Sequence, residues 1–306
     1  MSKLVLGPVL FNWDADRLRD FYESVAREPC IDTVCLGEVI CAKRPKHRFD
    51  DWQEIIETLL SHHKKVRYSS LGVISNAYEV KMLKQACQSH WNDHPDFCIE
   101  ANDMTALPLL KPGAPFTVGQ LFNCYNEASL QFLARQGATS VTLPVELSLQ
   151  QLRSLAAVSN ADLGVQVFGR MPLALSVRCY QARAYGLQKQ NCNIICENDL
   201  DGLPVDTLDR EPVFAVNGLQ TLSYAYCNLI REITHLQAAG IREFRISPQL
   251  DVDTLSVCRL FAGVMEGSTT VEVAGPTLDE LLRVQRQSNG YLYGKPGMER
   301  IPVASL

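Results

Sequence analysis

Asp51-Trp-Gln-Glu-Ile-Ile-Glu-Thr-Leu-Leu-Ser-His62, followed closely by Lys65-Val-Arg-Tyr-Ser-Ser-Leu-Gly72, decides the fold. In the first segment Trp52, Ile55, Ile56, Leu59 and Leu60 recur at helical spacing and make one apolar face. The second is a short run ended by glycine, which reads as a strand. The same alternation extends in both directions. Toward the N-terminus lie the strand Leu4-Val-Leu-Gly-Pro-Val-Leu10, a helix over 15–28 with Leu18, Phe21, Tyr22 and Val25 on one face, and the strand Thr33-Val-Cys-Leu-Gly37.

Toward the C-terminus a helix over 77–89 leads to Phe97-Cys-Ile-Glu100, then to a short helical turn over 106–110. Phe116-Thr-Val-Gly-Gln-Leu121 with a helix over 127–136, and Thr139-Ser-Val-Thr-Leu143 with a helix over 148–158 capped by Ser148, continue the series. Gly164-Val-Gln-Val-Phe168 is a seventh strand, after which the alternation breaks from 169 to about 223. A helix over 226–239 ended by Gly240, the strand Arg242-Glu-Phe-Arg-Ile-Ser247 and a helix over 253–265 ended by Gly267 complete it. Eight strand–helix units in order predict an α/β fold, a TIM-barrel-like (β/α)8 domain. A doubly wound open sheet shares the alternation and is the structural alternative. The whole of 1–306 reads as one barrel-like domain, with an insertion over about 169–223 and a C-terminal cap over about 275–306 that contains a helix over 278–287.

The 306 residues are 46% hydrophobic and 21% charged, the balance of a globular protein. No apolar run approaches the ~18 residues of a membrane span. The N-terminus, Met-Ser-Lys-Leu-Val-Leu-Gly-Pro, lacks the pattern of a signal peptide, so a cytoplasmic location is expected. A net charge of −5 argues against a general nucleic-acid binder. Eleven cysteines, an odd number, in a reducing compartment point away from a disulfide framework and toward metal binding or catalysis for any clustered subset.

In a barrel the chemistry sits on loops that follow strands. Cys87, Cys227 and Cys258 fall within expected helices, Cys30 at a helix end on the opposite face, and Cys35 and Cys98 inside strands; all six read as buried small hydrophobes. Cys41, Cys124, Cys179, Cys192 and Cys196 follow strands on the functional face. Three of these lie in the insertion, in a polar, turn-prone segment, and read as ligands of a metal centre. Cys41 and Cys124 are the two candidates for a fourth ligand. A set of four thiolates suits an iron–sulfur cluster or structural zinc. Of the local spacings only Cys192-x3-Cys196 fits a zinc knuckle, and Cys179-x12-Cys192 is common to neither class.

Phe168-Gly-Arg-Met-Pro-Leu-Ala-Leu-Ser-Val-Arg-Cys-Tyr-Gln-Ala-Arg183 with Cys192 and Cys196, paired with Gly37-Glu-Val-Ile-Cys-Ala-Lys-Arg44, resembles the collagenase-like peptidase family. The likeness is to its iron–sulfur branch, which serves oxygen-independent hydroxylation in ubiquinone biosynthesis. It extends over nearly the whole chain, including Asn217-Gly218 and Ile246-Ser-Pro248. The resemblance implies a [4Fe-4S] cluster on Cys41, Cys179, Cys192 and Cys196, with Cys124 left to packing. It also implies a heterodimer with a UbiU-like protein, a UbiT-like lipid carrier as accessory, and a ubiquinone precursor as substrate. RNA-base hydroxylation, known in the wider family, and a non-catalytic scaffold with structural zinc are the rival functions. Proteolysis has no support in the residues, which show no Ser-His-Asp, Cys-His or zinc-protease pattern.

Glu38, Glu100, Asn102, Asp103, Asn123, Glu146 and Arg170 fall at or just after strand ends and are candidates to bind substrate or tune the cluster. For each taken singly, the capping of a neighbouring helix is the better explanation. Arg170 and Arg178 are the cations expected to offset a cluster's negative charge. Lys43-Arg-Pro-Lys-His-Arg48 reads as a solvated loop, with an anion site or partner surface as the functional alternative. His62-His63 suits a helix C-terminus better than a metal, and Gly294-Lys295-Pro-Gly297 lacks phosphate-loop spacing.

Overall fold

Eight parallel strands close on one another in the computed structural model, which describes residues 2–44, 48–283 and 285–302. In chain order the strands are β1 (Lys3–Leu6), β2 (Thr33–Leu36), β3 (Lys65–Ser69), β4 (Phe97–Ala101), β5 (Phe116–Val118), β6 (Ala138–Thr142) and β7 (Asp162–Leu175). Then follow β8 (Leu203–Asp206), β9 (Pro212–Asn217), β10 (Gln220–Asn228), β11 (Glu243–Ile246) and the short β12 (Gln287–Ser288). Each of β1 to β7 pairs in parallel with the next, β7 pairs with β11, and β11 pairs back with β1. That last pairing excludes the open sheet, whose edge strands would stay apart. The helices α1 (Ala15–Ala26), α2 (Gln53–Ser61), α3 (Ala77–Cys87), α4 (Glu127–Arg135), α5 (Leu149–Val158), α6 (Tyr180–Ala184), α7 (Ile233–Ala238), α8 (Thr254–Glu266) and α9 (Val271–Leu281) complete the elements used below. No helix among the described residues is long and apolar enough to cross a membrane.

Local chemistry sets most of the boundaries. Asp14, Asn76, Asn126, Ser148 and Asp253 cap α1, α3, α4, α5 and α8 by accepting from backbone amides in the first turn. At Ser148 the cap is reciprocal with Gln151. The loop after β4 holds only a 3-10 turn, Met104–Leu109, with Pro108 inside it. β1 stops at Leu6, short of the expected Leu10, because Pro8 has no amide to give a neighbouring strand; Val9 and Leu10 are buried instead.

Three further expectations are corrected. The seventh strand does not end at Phe168: β7 runs on to Leu175, and its second half pairs antiparallel with β10. Gly169 allows the change of partner. Its φ is +100°, and a Cβ there would stand 2.8 Å from Ser247 and Gln249 atoms. The insertion is therefore a small sheet, β7–β10–β9–β8, continuous with the barrel. Second, the helix expected over 226–239 is divided. Tyr226, Cys227 and Asn228 finish β10, and α7 begins only at Ile233. Tyr226 stacks on Phe168 at 6.0 Å and its hydroxyl donates to Asp251, so pairing with β7 overrides the helical pattern. Cys227 thus lies in a strand, still buried. Third, the last helix is 271–281 rather than 278–287. It runs through Pro276 and is held by Arg231, which packs on Gly275 and pairs with Asp279 at 2.6 Å.

The barrel interior carries charge where most such interiors are aliphatic. Arg67 on β3 makes a bidentate pair with Glu243 on β11, at 2.7 and 2.6 Å, and Ser140 adds a third donor to that carboxylate. Arg245 on β11 holds both oxygens of Glu100 on β4, with Ser69 donating to the same group. Glu100 is thus an internal brace and not a residue of the mouth. Burial opposes the charged form of Glu243, but the Arg67 fork outweighs it and holds its pKa below the ordinary 4.5; the same balance, with Arg245, lowers Glu100. A depressed folded-state pKa contributes stability that is complete above about 4.5 and is lost as pH falls through the folded-state value. Glu243→Gln should lower unfolding free energy by about 3–5 kcal/mol in urea titrations at pH 7, because it strands a buried guanidinium. It should also flatten the loss of stability in acid, while Arg67→Met/Glu243→Leu should recover most of the neutral-pH loss. Equal stability of the single variant and the parent would contradict the brace.

Candidate functional site

The loop after β2 is folded by a single carboxylate. Gly37, at φ +120°, turns the chain where a Cβ would meet the Ser69 carbonyl at 2.5 Å. Glu38 then accepts from the amides of Ile40 and Cys41 at 2.8 and 3.0 Å and from Arg44 at 3.2 Å. The basic run is therefore not simply a solvated loop. Arg44 is 1% exposed, while 45–47 lie outside the described residues. Its guanidinium donates to the Leu10 carbonyl at 2.9 Å, in the loop after β1, and to the Asn217 side chain at 2.5 Å, in the β9–β10 turn. Lys43 donates to the carbonyls of Lys189 and Gln190 at 2.6 and 2.9 Å. Two neighbouring cations thus bind the strand-two loop to the insertion.

The insertion is organised around the same point. Asn217 donates to the carbonyls of Cys196 and Asp199 at 3.2 and 2.8 Å. Gln181 accepts from the Gly218 amide at 2.7 Å and donates to Asp199 at 2.5 Å. Cys179 is the N-cap of α6, its sulfur accepting from the Ala182 amide at 3.4 Å. Asn12 donates to the Cys196 sulfur at 3.5 Å. Between Cys192 and Cys196, Asn193 and Ile194 both take left-handed backbone angles, φ 47° and 55°. For β-branched Ile194 this is strain of about 1–3 kcal/mol, which the surroundings must impose.

Cys179 and Cys196 are buried; Cys41 and Cys192 are half-buried. Burial pushes the Cys196 thiol up and Arg44 opposes the shift; burial likewise raises Cys41, with Glu38 adding to it and Arg44 and Lys189 opposing. Arg44 loses hydration on burial, yet Glu38, Cys196 and Cys41 together raise its pKa. The structure therefore brings the strand-two loop and the three-cysteine segment to one place, with a guanidinium beside two of the sulfurs. Among the described residues no group of three or more His, Cys, Asp or Glu side chains is placed so as to hold a metal ion. The fit to a metal centre rests on the donor set itself: four thiols on two tied loops, with amide donors and cations at hand to stabilise thiolates.

The other candidates divide. Arg170 is buried, but it pairs with Asp201 at 2.7 Å and lies over the rings of Tyr224 and Tyr226 at 5.3 and 4.9 Å. It braces the insertion instead of serving the sulfurs. Arg178 is exposed. Cys124 is 1% exposed within the hydrophobic core. Asn102 is bound to Ser70, Asp103 caps the turn after β4, Asn123 takes a left-handed angle, and Glu146 accepts from Tyr125. His62 bonds the Thr58 carbonyl at 2.9 Å at the end of α2. Of the polar candidates at strand ends, Glu38 is the one that contacts one of these four cysteines, at the Cys41 amide. Arg44, Asn217, Gln181 and Asn12 went unrecognised in the sequence, although Arg44 and Asn217 stand in segments that mark it.

The model of a family described as Peptidase family U32 matches residues 16–301. Among solved structures the chain is similar to phospho-2-dehydro-3-deoxyheptonate aldolase from Thermotoga maritima, at 9% identity over 90% of this chain and 70% of that one, with a TM-score of 0.46. It is also similar to dihydropteroate synthase from Thermus thermophilus, at 14% identity over 88% and 94% of the two chains and a TM-score of 0.44. A third is an uncharacterized protein from Clostridium thermocellum that binds two copies of 5-methyl-5,6,7,8-tetrahydrofolic acid, at 8% identity, 88% and 96% coverage and a TM-score of 0.46. These three likenesses carry no argument about chemistry.

Replacing Arg44 with Met should leave buried Glu38 without its cation, at a cost of about 3 kcal/mol in metal-free protein, the low end for a broken buried pair since two amides still serve the carboxylate. Cys41 and Cys196, deprived of the cation that favours their thiolates, should then react more slowly with a soluble thiol reagent at neutral pH. Unchanged stability and unchanged thiol kinetics would remove Arg44 from this role.

Proposed function

The chain belongs to peptidase family U32, and from that premise we propose that it is a UbiV-like subunit of an oxygen-independent hydroxylase in ubiquinone biosynthesis. It is a cytoplasmic protein that carries a [4Fe-4S] cluster on Cys41, Cys179, Cys192 and Cys196 and works as a heterodimer with a UbiU-like partner. A UbiT-like carrier presents the ubiquinone precursor. The observation that supports this reading most is the burial of Arg44 between Glu38, Cys41 and Cys196, which joins a cysteine early in the chain to three that lie far along it.

When bound, the cluster supplies one-electron transfer at a potential set by charge, burial and hydrogen bonds to sulfur. The chain provides those settings. Cys41, Cys179, Cys192 and Cys196, deprotonated, would hold the iron. The Ala182 amide and the Asn12 side chain already point donors at Cys179 and Cys196. Arg44 lowers the cost of thiolates in a partly buried place. Cys41 and Cys192 are only half-buried and would be the ligands nearer to solvent. Among the described residues the family's peptidase name finds no catalytic counterpart, and His47 lies outside them. His62, His63, His90 and His94 follow helices α2 and α3 on the way into β3 and β4, at the barrel end opposite the cysteines, and His235 lies on the outer helix α7.

Protein purified without oxygen should contain about four iron and four sulfide per chain and show a broad visible absorption bleached by dithionite. Cys41→Ala should lose the iron, and Cys124→Ala should keep it. Zinc without iron would overturn the cluster, and iron lost from Cys124→Ala but kept in Cys41→Ala would show that the fourth ligand is misassigned.

A further inference from the structure

Beside Cys41 the strand-two loop, the start of α3 and the end of β7 enclose a cavity of about 240 Å³. Ile40, Val73, Leu175 and Val177 give it apolar walls, Ser75, Asn76 and Ser176 add polar ones, and Lys43 and Lys189 also line it. Val177 is 60% exposed and Val73 39%, an unusual openness for aliphatic side chains grouped around one hollow. The shape depends on Gly72. A Cβ at this residue would lie 2.6 Å from Leu175 and 2.8 Å from Leu121, so glycine lets the β7 extension settle against the strand-three loop and form the cavity wall.

The volume is below the ~300–1,000 Å³ of ordinary drug-sized sites, which restricts it to about one substituted ring. Apolar walls want an apolar body. Two ammonium groups want an anion, and Lys43, which spends two of its three donors on carbonyls, keeps a third. Glu79, also at the cavity, is held by the Ser75 amide and hydroxyl and is 8% exposed, and with two lysines against this one carboxylate the lining keeps a net positive charge.

We propose that this cavity is a binding site for a small ring-bearing organic anion, its ring against Val73, Leu175 and Val177 and its acidic group at Lys43 and Lys189. This places a ligand against the loop that carries Cys41. Its link to redox chemistry rests on the function proposed above; the binding itself does not.

The test uses 4-tert-butylbenzoate and its neutral isostere 4-tert-butylbenzamide, titrated calorimetrically into the full chain purified without oxygen. The carboxylate should bind several-fold more tightly than the amide. Lys189→Gln should weaken the carboxylate about three- to tenfold, the range of one partly exposed charge-assisted contact, and leave the amide unchanged. Val73→Trp, which fills the cavity, should abolish binding of both. Equal affinity for the two compounds, or undiminished binding to Val73→Trp, overturns the site. Iron content measured on the same samples separates the two readings. Lysine-dependent binding to protein without iron sustains the cavity and defeats the cluster; full iron with no binding does the reverse.

Discussion

A guanidinium at 1% exposure has to be explained by what surrounds it, because burying a charge costs several kcal/mol unless partners restore what water gave. Arg44 finds those partners in four parts of the chain: the Leu10 carbonyl, the Glu38 carboxylate, the Asn217 side chain and carbonyl, and the sulfurs of Cys41 and Cys196. The loops after β1 and β2 and the distant insertion can satisfy it only together. That requirement ties Cys41 and Cys196 to one neighbourhood. A cation placed beside thiols also favours their ionised form, so one residue serves both the fold and the chemistry proposed for it.

The barrel makes this possible by taking care of its own interior. Arg67–Glu243 and Arg245–Glu100 cross-link β3, β4 and β11 inside the closed sheet, and β11 is the strand that completes the ring. With closure secured there, β7 is free to leave the barrel at Gly169 and run on as an edge for β10. Arg170, one residue later, fixes the new direction by holding Asp201 and the carbonyls of Ser223 and Tyr224. The extension then brings Leu175 over the strand-three loop and Cys179 beside the β9–β10 turn. The irregular part of the sequence is thus a continuation of the regular part.

How much of this could be read beforehand depends on the range of the forces involved. Strands and helices of the barrel were legible because their signals are local: apolar spacing, Ser148 before a helix, Gly267 after one. The assignment of Cys41, Cys179, Cys192 and Cys196 to one centre rests on family resemblance, since the separations in sequence define no known spacing. What stayed hidden was set by partners far along the chain. Lys43-Arg44 looked like a solvated basic run because nothing nearby shows Arg44 turning inward to Asn217. Tyr226-Cys227-Asn228 carried a helical pattern that pairing with β7 overrode. Arg170 sat in the right segment, but Asp201 and two tyrosine rings claim its charge.

The central claim is that Cys41 and the three cysteines of the insertion hold one iron–sulfur centre. Iron K-edge X-ray absorption on the chain purified without oxygen addresses it most directly, since it reports the atoms around the metal. The account predicts a first shell of sulfur alone together with short iron–iron scattering, both lost in Cys41→Ala. A first shell of nitrogen or oxygen, or a signal at the zinc edge only, would contradict it.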